Sequence, residues 1–134
     1  MPPIVLENDM KPEFDWAFVG MGAGTGILLH QLHQRGLLEG KSIAILEPQS
    51  KTSDDKTYCF WAAESDEVMQ IFDHLISNSW ESVIIDDGHA ESILPKKYHR
   101  IRSLDLYLAT REIVNQVQGH FYPVELAEPA PSET

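Results

Sequence analysis

An α/β fold organised around a strand–helix–strand unit is what the sequence predicts, and three observations predict it. A short aromatic and apolar run, residues 14–20 (FDWAFVG), ends at glycine. Behind it, Thr25, Leu28, Leu29, Leu32 and Gly36 recur at i, i+3, i+4, i+7 and i+11, which places them on one face of a helix over residues 23–35. A second apolar run, residues 42–47 (SIAILE), lies between Gly40-Lys41 and Pro48. Both runs are too short for helices and apolar without alternation, the pattern of parallel strands buried on both faces. Joined by a crossover helix, they form a βαβ unit.

Downstream elements follow the same reasoning. Residues 49–56 are polar and rich in Ser, Thr and Asp, hence a loop, and residues 57–62 (TYCFWA) form an aromatic-dense segment behind it. Residues 64–76 fit a helix with Val68, Ile71, Phe72 and Leu75 on one side. Residues 80–86 and 91–94 flank Asp87-Gly88 and read as a hairpin outside the βαβ core. Ser103 is a suitable N-cap for a helix reaching about Gln118, with Leu106, Ala109, Thr110, Ile113 and Val117 on one face and Gly119 as its stop. Residues 120–126 (HFYPVEL) are expected to begin the next strand of the parallel sheet, with Pro123 barring a central position. Residues 1–13 read as an N-terminal extension, 14–126 as the folded segment, and 127–134 as a disordered tail.

Composition removes several function classes. With 43% hydrophobic and 23% charged residues the chain lies in the globular range. Its net charge of -11 repels nucleic-acid phosphates, and the one basic cluster, Lys96, Lys97, His99, Arg100 and Arg102, reads as a solvated loop, so no nucleic acid is expected as a partner. Cys59 is the single cysteine, which forbids an intrachain disulfide and fits a reducing, cytoplasmic setting. The first residues lack the basic start and apolar run of a signal peptide, and no apolar stretch approaches the ~20 residues needed to span a bilayer.

The chemistry-bearing motif is Gly20-Met21-Gly22-Ala23-Gly24-Thr25-Gly26, set between the first strand and the helix. A Rossmann-like turn requires glycine where the chain bends sharply and where its backbone approaches a pyrophosphate, whose charge then rests on the free N–H groups of the helix start. Gly20 and Gly22 fill those roles. The third fingerprint position, which usually allows close helix–strand packing, is Thr25, expected on the inward face and to hold helix and strand slightly apart. Glu47 ends the second strand, 22 residues after Thr25, where an acid accepts hydrogen bonds from ribose hydroxyls and disfavours the 2′-phosphate of NADP.

Past Glu47 the string Asp54-Asp55-Lys56-Thr57-Tyr58-Cys59-Phe60-Trp61 resembles the (N/D)-D-(R/K)-T-(W/Y)-C-F-W signature of bacterial lycopene cyclases. Residues 98–107 (YHRIRSLDLY) and the Trp80 hairpin are similar to that family in order, and the resemblance covers about residues 14–117. It implies an incomplete glutathione-reductase-like flavoprotein fold: a Rossmann-like FAD-binding βαβ unit with part of an inserted substrate-domain hairpin. It implies an isomerase that closes the ψ end of lycopene into a ring without net redox change, using reduced FAD with NAD(P)H as the reductant, peripheral to a membrane. By the same resemblance Gly20, Gly22, Ala23, Gly24, Thr25 and Glu47 hold the ADP half of FAD, and Asp55, Lys56 and Thr57 lie towards the flavin and substrate. Lys56 stands where the family often has arginine, keeping the charge but not the planar fork. The family's proton donor lies in a later acidic motif, so no catalytic residue is named.

The residues alone also fit a non-catalytic module for NAD or ADP-ribose, or a degenerate fragment without a ligand. Cys59 reads as a small buried residue without a catalytic role. His30 and His33 are three apart on the first helix, but no third ligand is placed by the sequence, and no metal site is expected. Asp54-Asp55 and Asp86-Asp87 read as solvated turn residues, with Asp55 gaining a role only through its motif.

Overall fold

The computed structural model describes residues 13–127. Its first layer is the expected strand–helix–strand unit: β1 (Trp16–Val19), α1 (Ala23–Gln34) and β2 (Ile43–Leu46). The two strands are parallel, with Trp16 opposite Ile43 and Val19 opposite Leu46. Their starts are tied by a polar clamp in which the Ser42 N–H donates to Asp15 Oδ2 at 2.8 Å and the Asp15 N–H to Ser42 Oγ at 2.9 Å. On the far side of β2, β8 (His120–Tyr122) pairs in parallel, giving the order β1-β2-β8. It stops before Pro123 and holds an outer position, as a residue without an N–H requires. The expected extension and tail fall, but for Glu13 and Ala127, outside the described residues.

A second sheet is antiparallel, in the order β3-β7-β4, from β3 (Thr57–Ala63), β4 (Ile76–Trp80) and β7 (Lys96–Arg102). It corrects three expectations. The basic segment 96–102 is the middle strand rather than a solvated loop. Trp80 ends β4 and pairs with Tyr98, so the hairpin shrinks to β5 (Ser82–Val83) with β6 (Glu91–Ser92). The helix expected over 64–76 is a short α2 (Glu67–Phe72) followed by a 3-10 turn, Asp73–Leu75.

His99 explains why so polar a strand tolerates a central position. It is buried, with Nε2 at 3.1 Å from the Ala62 carbonyl oxygen on β3 and Nδ1 at 2.8 Å from Ser79 Oγ on β4. Both ring nitrogens are satisfied, so burial carries no penalty from unpaired polar atoms.

Helix α3 (Ser103–Gln116) lies between the layers. Tyr107, Ile113 and Val114 join Leu29 and Leu32 of α1 and Phe18, Ile43 and Ile45 of the parallel sheet in one core. Leu106 joins a second core with Ile71, Phe72 and Ile101, against which Tyr58 and Phe60 pack. The buried face of α3 is therefore wider than the single stripe expected. Ser103 is its first helical residue rather than its N-cap.

The inward face of α1 keeps Leu29 and Leu32 of the expected stripe but is rotated from its remainder. Gly26, Leu29, His30 and Leu32 are buried, while Leu28 is 43% exposed and Thr25 only partly covered. Gly26, not the Thr25 position, provides the close approach, and it does so against α3. A Cβ there would lie 3.0 Å from Thr110 Oγ1 and 3.4 Å from Leu106 Cγ. Thr110 Oγ1 cannot yield freely, because it donates to the Leu106 carbonyl at 2.7 Å.

His30 is 5% exposed, its ring 5.2 Å from that of Phe72, and its Nε2 has no hydrogen-bond partner among the described residues. Burial, with smaller contributions from His74 and His33, holds its pKa down to about 4. No group of three or more His, Cys, Asp or Glu side chains among the described residues is placed to hold a metal ion.

Two outcomes follow from this packing. Gly26→Ala is expected to lower unfolding free energy by about 1–3 kcal/mol in urea titrations, the usual cost of overpacking. Between pH 6.5 and 4 the unfolded His30 takes up a proton that the folded one refuses, so its contribution to stability falls as pH drops through that window. His30→Leu is expected to remove a pH-dependent loss on the order of 2 kcal/mol, read as a flatter dependence of the urea midpoint on pH.

Candidate functional site

The glycine-rich turn takes the form its sequence requires. Gly20 has φ +91°, a conformation side chains disfavour, and its N–H donates to the Leu46 carbonyl at 2.7 Å, closing the end of β1 onto β2. The next residue is held by the acid that directly follows β2. The Met21 N–H donates to Glu47 Oε2 at 2.9 Å, and the Gln49 N–H to Glu47 Oε1 at 3.2 Å. The Glu47 N–H in turn donates to the Tyr122 carbonyl at 3.0 Å, joining all three parallel strands at one end.

Helix α1 starts at this end with Gly22 as N-cap and no side-chain cap. Its first i to i−4 bond runs from the Gly26 N–H to the Gly22 carbonyl at 3.0 Å, so the N–H groups of Ala23, Gly24 and Thr25 have no partner within the helix. A Cβ at Gly22 or Gly24 would meet nothing within 4 Å. An uncapped helix start facing open space favours a negatively charged group through its partial positive charge and its donors.

The space in front is a cleft of about 280 Å³, whose lining includes Met21, Gly22, Glu47, Lys51, Asp55, Lys56 and Tyr58. Two lysines therefore share the cleft with the glycine turn. Lys51 forms an ion pair with Asp55; that contact raises the Lys51 pKa and, as the largest influence on its partner, lowers that of Asp55.

Asp54 and Asp55 are more than solvated turn residues. The Leu104 N–H, at the start of α3, donates to Asp54 Oδ1 at 2.9 Å. Ser103 Oγ donates to Asp55 Oδ1 at 3.2 Å and accepts the Lys56 N–H at 3.2 Å. Ser103, the expected cap, instead binds the loop, and the loop supplies the cap. Sequence patterns for capping look three residues along the chain, so a cap from 50 residues away leaves no such signal.

Of the expected site residues, Gly22, Glu47, Asp55 and Lys56 line the cleft; Gly20 does not, although a Cβ there would lie 3.9 Å from Glu47 Oε2. Ala23 and Thr57 instead line a second, mostly apolar groove of about 420 Å³ between α1, α2 and β3, shared with Phe60, Phe72 and Leu106. Gly24 and Thr25 line neither. Tyr58 borders both spaces, and Cys59 is exposed rather than buried. Lys51, absent from the sequence expectations, is the addition; lysine in a polar loop carries no local sign of such a role.

No family model and no curated protein matches this chain.

The α3 cap gives a direct test of the loop. Asp54→Ala is expected to cost about 1 kcal/mol in thermal or urea unfolding, with Asp54→Asn close to the parent, because asparagine keeps the accepting oxygen.

Proposed function

We propose that this chain is the FAD-binding segment of a flavoprotein similar to the lycopene cyclases, with the dinucleotide's pyrophosphate on the start of α1. One observation carries the reading: residues from separate parts of the sequence, the glycine turn, Glu47 and Asp55-Lys56, line a single cleft before an uncapped helix. The parallel β1-α1-β2 arrangement is the frame on which Rossmann-like sites are built, with the ligand beyond the carboxyl ends of the strands.

The residues fit the dinucleotide. The Ala23, Gly24 and Thr25 N–H groups, at the open start of α1 beside the cleft rather than in its lining, offer donors to the pyrophosphate, and the absence of side chains at Gly22 and Gly24 lets it approach. Glu47 keeps acceptor capacity for ribose hydroxyls while its carboxylate holds Met21 and Gln49. Lys51 and Lys56 add positive charge as point cations rather than as bidentate clamps. When bound and reduced, with NAD(P)H as the reductant, the flavin supplies the electron-rich surface that assists ring closure of the ψ end of lycopene. The resemblance of residues 54–61 supports the flavin and the polyene; the cleft supports the nucleotide.

Calorimetric titration with FAD, NAD and ADP-ribose checks the reading. FAD is expected to bind tightest, and Glu47→Gln to weaken it about tenfold or more, the scale of a lost charged hydrogen bond. Tighter binding of NAD or ADP-ribose would point to a non-catalytic nucleotide module, and absence of all three affinities would sink both readings.

A further inference from the structure

The two faces of the antiparallel sheet differ in chemistry. Tyr58, Phe60, His99 and Ile101 point inward. On the opposite face Trp61 of β3, Tyr98 of β7 and Trp80 of β4 are register partners, so they form a row across the strands. Ring centroids are 4.6 Å apart for Trp61 and Tyr98 and 6.1 Å for Trp80 and Tyr98. Trp61 is 51% and Trp80 44% exposed. The solvent face of an antiparallel sheet is ordinarily polar, and two half-exposed tryptophans flanking a tyrosine mark a surface made for contact. None of the three lines the cleft or the apolar groove, so the nucleotide reading leaves this face unused.

Strand alternation puts Lys96 and Arg100 on either side of Tyr98 along β7. Arg100 donates to Asn78 Oδ1 at 3.3 Å and has no carboxylate within ion-pair distance among the described residues. Lys96 has Asp66 at 4.0 Å. Arg102, at the end of β7, lines a separate space with Asp105 and Glu112 and lies outside the patch. The patch is therefore a row of aromatic rings with one unpaired guanidinium beside it.

Spacing narrows the class of partner. Neighbouring strands lie about 4.8 Å apart, which sets Trp61 and Trp80, on the two outer strands, about 9.6 Å apart across the face. A polyproline II helix completes its turn of three residues in about 9.3 Å. Laid across the strands, such a helix brings residues i and i+3 over the two tryptophans, with Tyr98 beneath the residues between. It has no internal hydrogen bonds, so its carbonyl oxygens are open to the indole N–H and guanidinium donors of this face. We propose that this face binds a proline-rich, acidic segment of a partner protein in the polyproline II conformation, with prolines on the tryptophans and a carboxylate on Arg100.

Size and charge select this occupant. Three strands of seven residues or fewer span roughly 350 Å² of sheet, well short of the roughly 800 Å² per partner of a stable interface with a second copy or a globular protein. A short extended segment fits that area. A nucleic acid strand would stack on the same rings, but one unpaired guanidinium neutralises too few phosphates on a chain of net charge -11. The same shortage of cations disfavours an anionic bilayer, whose attraction grows with the number of basic side chains. Among the described residues no helix is long and apolar enough to cross a membrane. The proposal rests on the sheet alone and does not depend on the nucleotide reading.

Calorimetric titration of the chain with a synthetic peptide of repeated Glu-Pro-Pro units tests it, with circular dichroism confirming the fold of each variant. Saturable binding is expected, together with a change in tryptophan emission, since Trp61 and Trp80 are two of the three tryptophans. A peptide of repeated Glu-Ala-Ala units, equal in length and charge but not preorganised, is expected to bind about tenfold more weakly. Trp61→Ala or Trp80→Ala is expected to weaken binding about tenfold or more, with Trp61→Phe close to the parent because it keeps a ring. Arg100→Gln is expected to weaken binding of the Glu-Pro-Pro peptide about fivefold and to leave that of a neutral Gln-Pro-Pro peptide unchanged, while Lys41→Gln alters neither. No binding, equal affinity for the alanine peptide, or affinity unmoved by the tryptophan variants would overturn the proposal. So would a dimer in sedimentation equilibrium that Trp61→Ala dissociates, or tighter binding to a single-stranded oligonucleotide or to phosphatidylglycerol vesicles.

Discussion

Helix α3 is buried from two directions, and this double burial is the constraint on which the other elements depend. Tyr107, Ile113 and Val114 close the core of the parallel sheet, while Leu106, one position from Tyr107, enters the core of the antiparallel sheet. A helix with two covered sides fixes the relation of two layers that share no strand. Its distance from α1 is set at Gly26, where any side chain would meet Leu106 and Thr110. Its start is set by Asp54, which links its position to the loop over the glycine turn. The cleft is therefore shaped by packing as much as by its own residues.

The parallel layer was legible in the sequence because its information is local. Continuous apolar runs, a glycine turn and a terminal acid are each local features, and Gly20 and Gly22 make the turn into α1 while Glu47 directly follows β2. What escaped was the part of the inward face of α1 formed by Gly26 and His30. Leu29 and Leu32 belong to a stripe through Thr25 and Leu28 as readily as to one through Gly26 and His30, and a glycine scores as no hydrophobe at all. Only a neighbouring helix with Leu106 and Thr110 at the point of contact makes Gly26 the buried position.

The antiparallel layer was largely hidden for the opposite reason. Its middle strand, KKYHRIR, reads as a charged loop because the inward side of its alternation holds only His99 and Ile101 as buried residues. A histidine signals an interior position only when both of its nitrogens find partners, and those partners, Ala62 and Ser79, lie 37 and 20 residues away. In β3 the alternation is masked differently: Tyr58, Phe60 and Trp61 are all aromatic, so inside and outside look alike by hydropathy.

The string from Asp54 to Trp61 gains a physical explanation from its place between the cleft and the sheets. Its two acids hold the start of α3, directly through Asp54 and through Ser103 in the case of Asp55. Immediately after them β3 begins, and its alternation sends Tyr58 and Phe60 towards α2 and α3 while Cys59 and Trp61 face outward. Shifting the string by one residue would exchange those faces, burying Trp61 and Cys59 and exposing two core rings. The acids would then miss the helix they cap. A fixed order of acids, lysine, threonine and aromatics is thus what a chain needs when one short segment must cap a helix, line a cleft and enter a sheet in a single register.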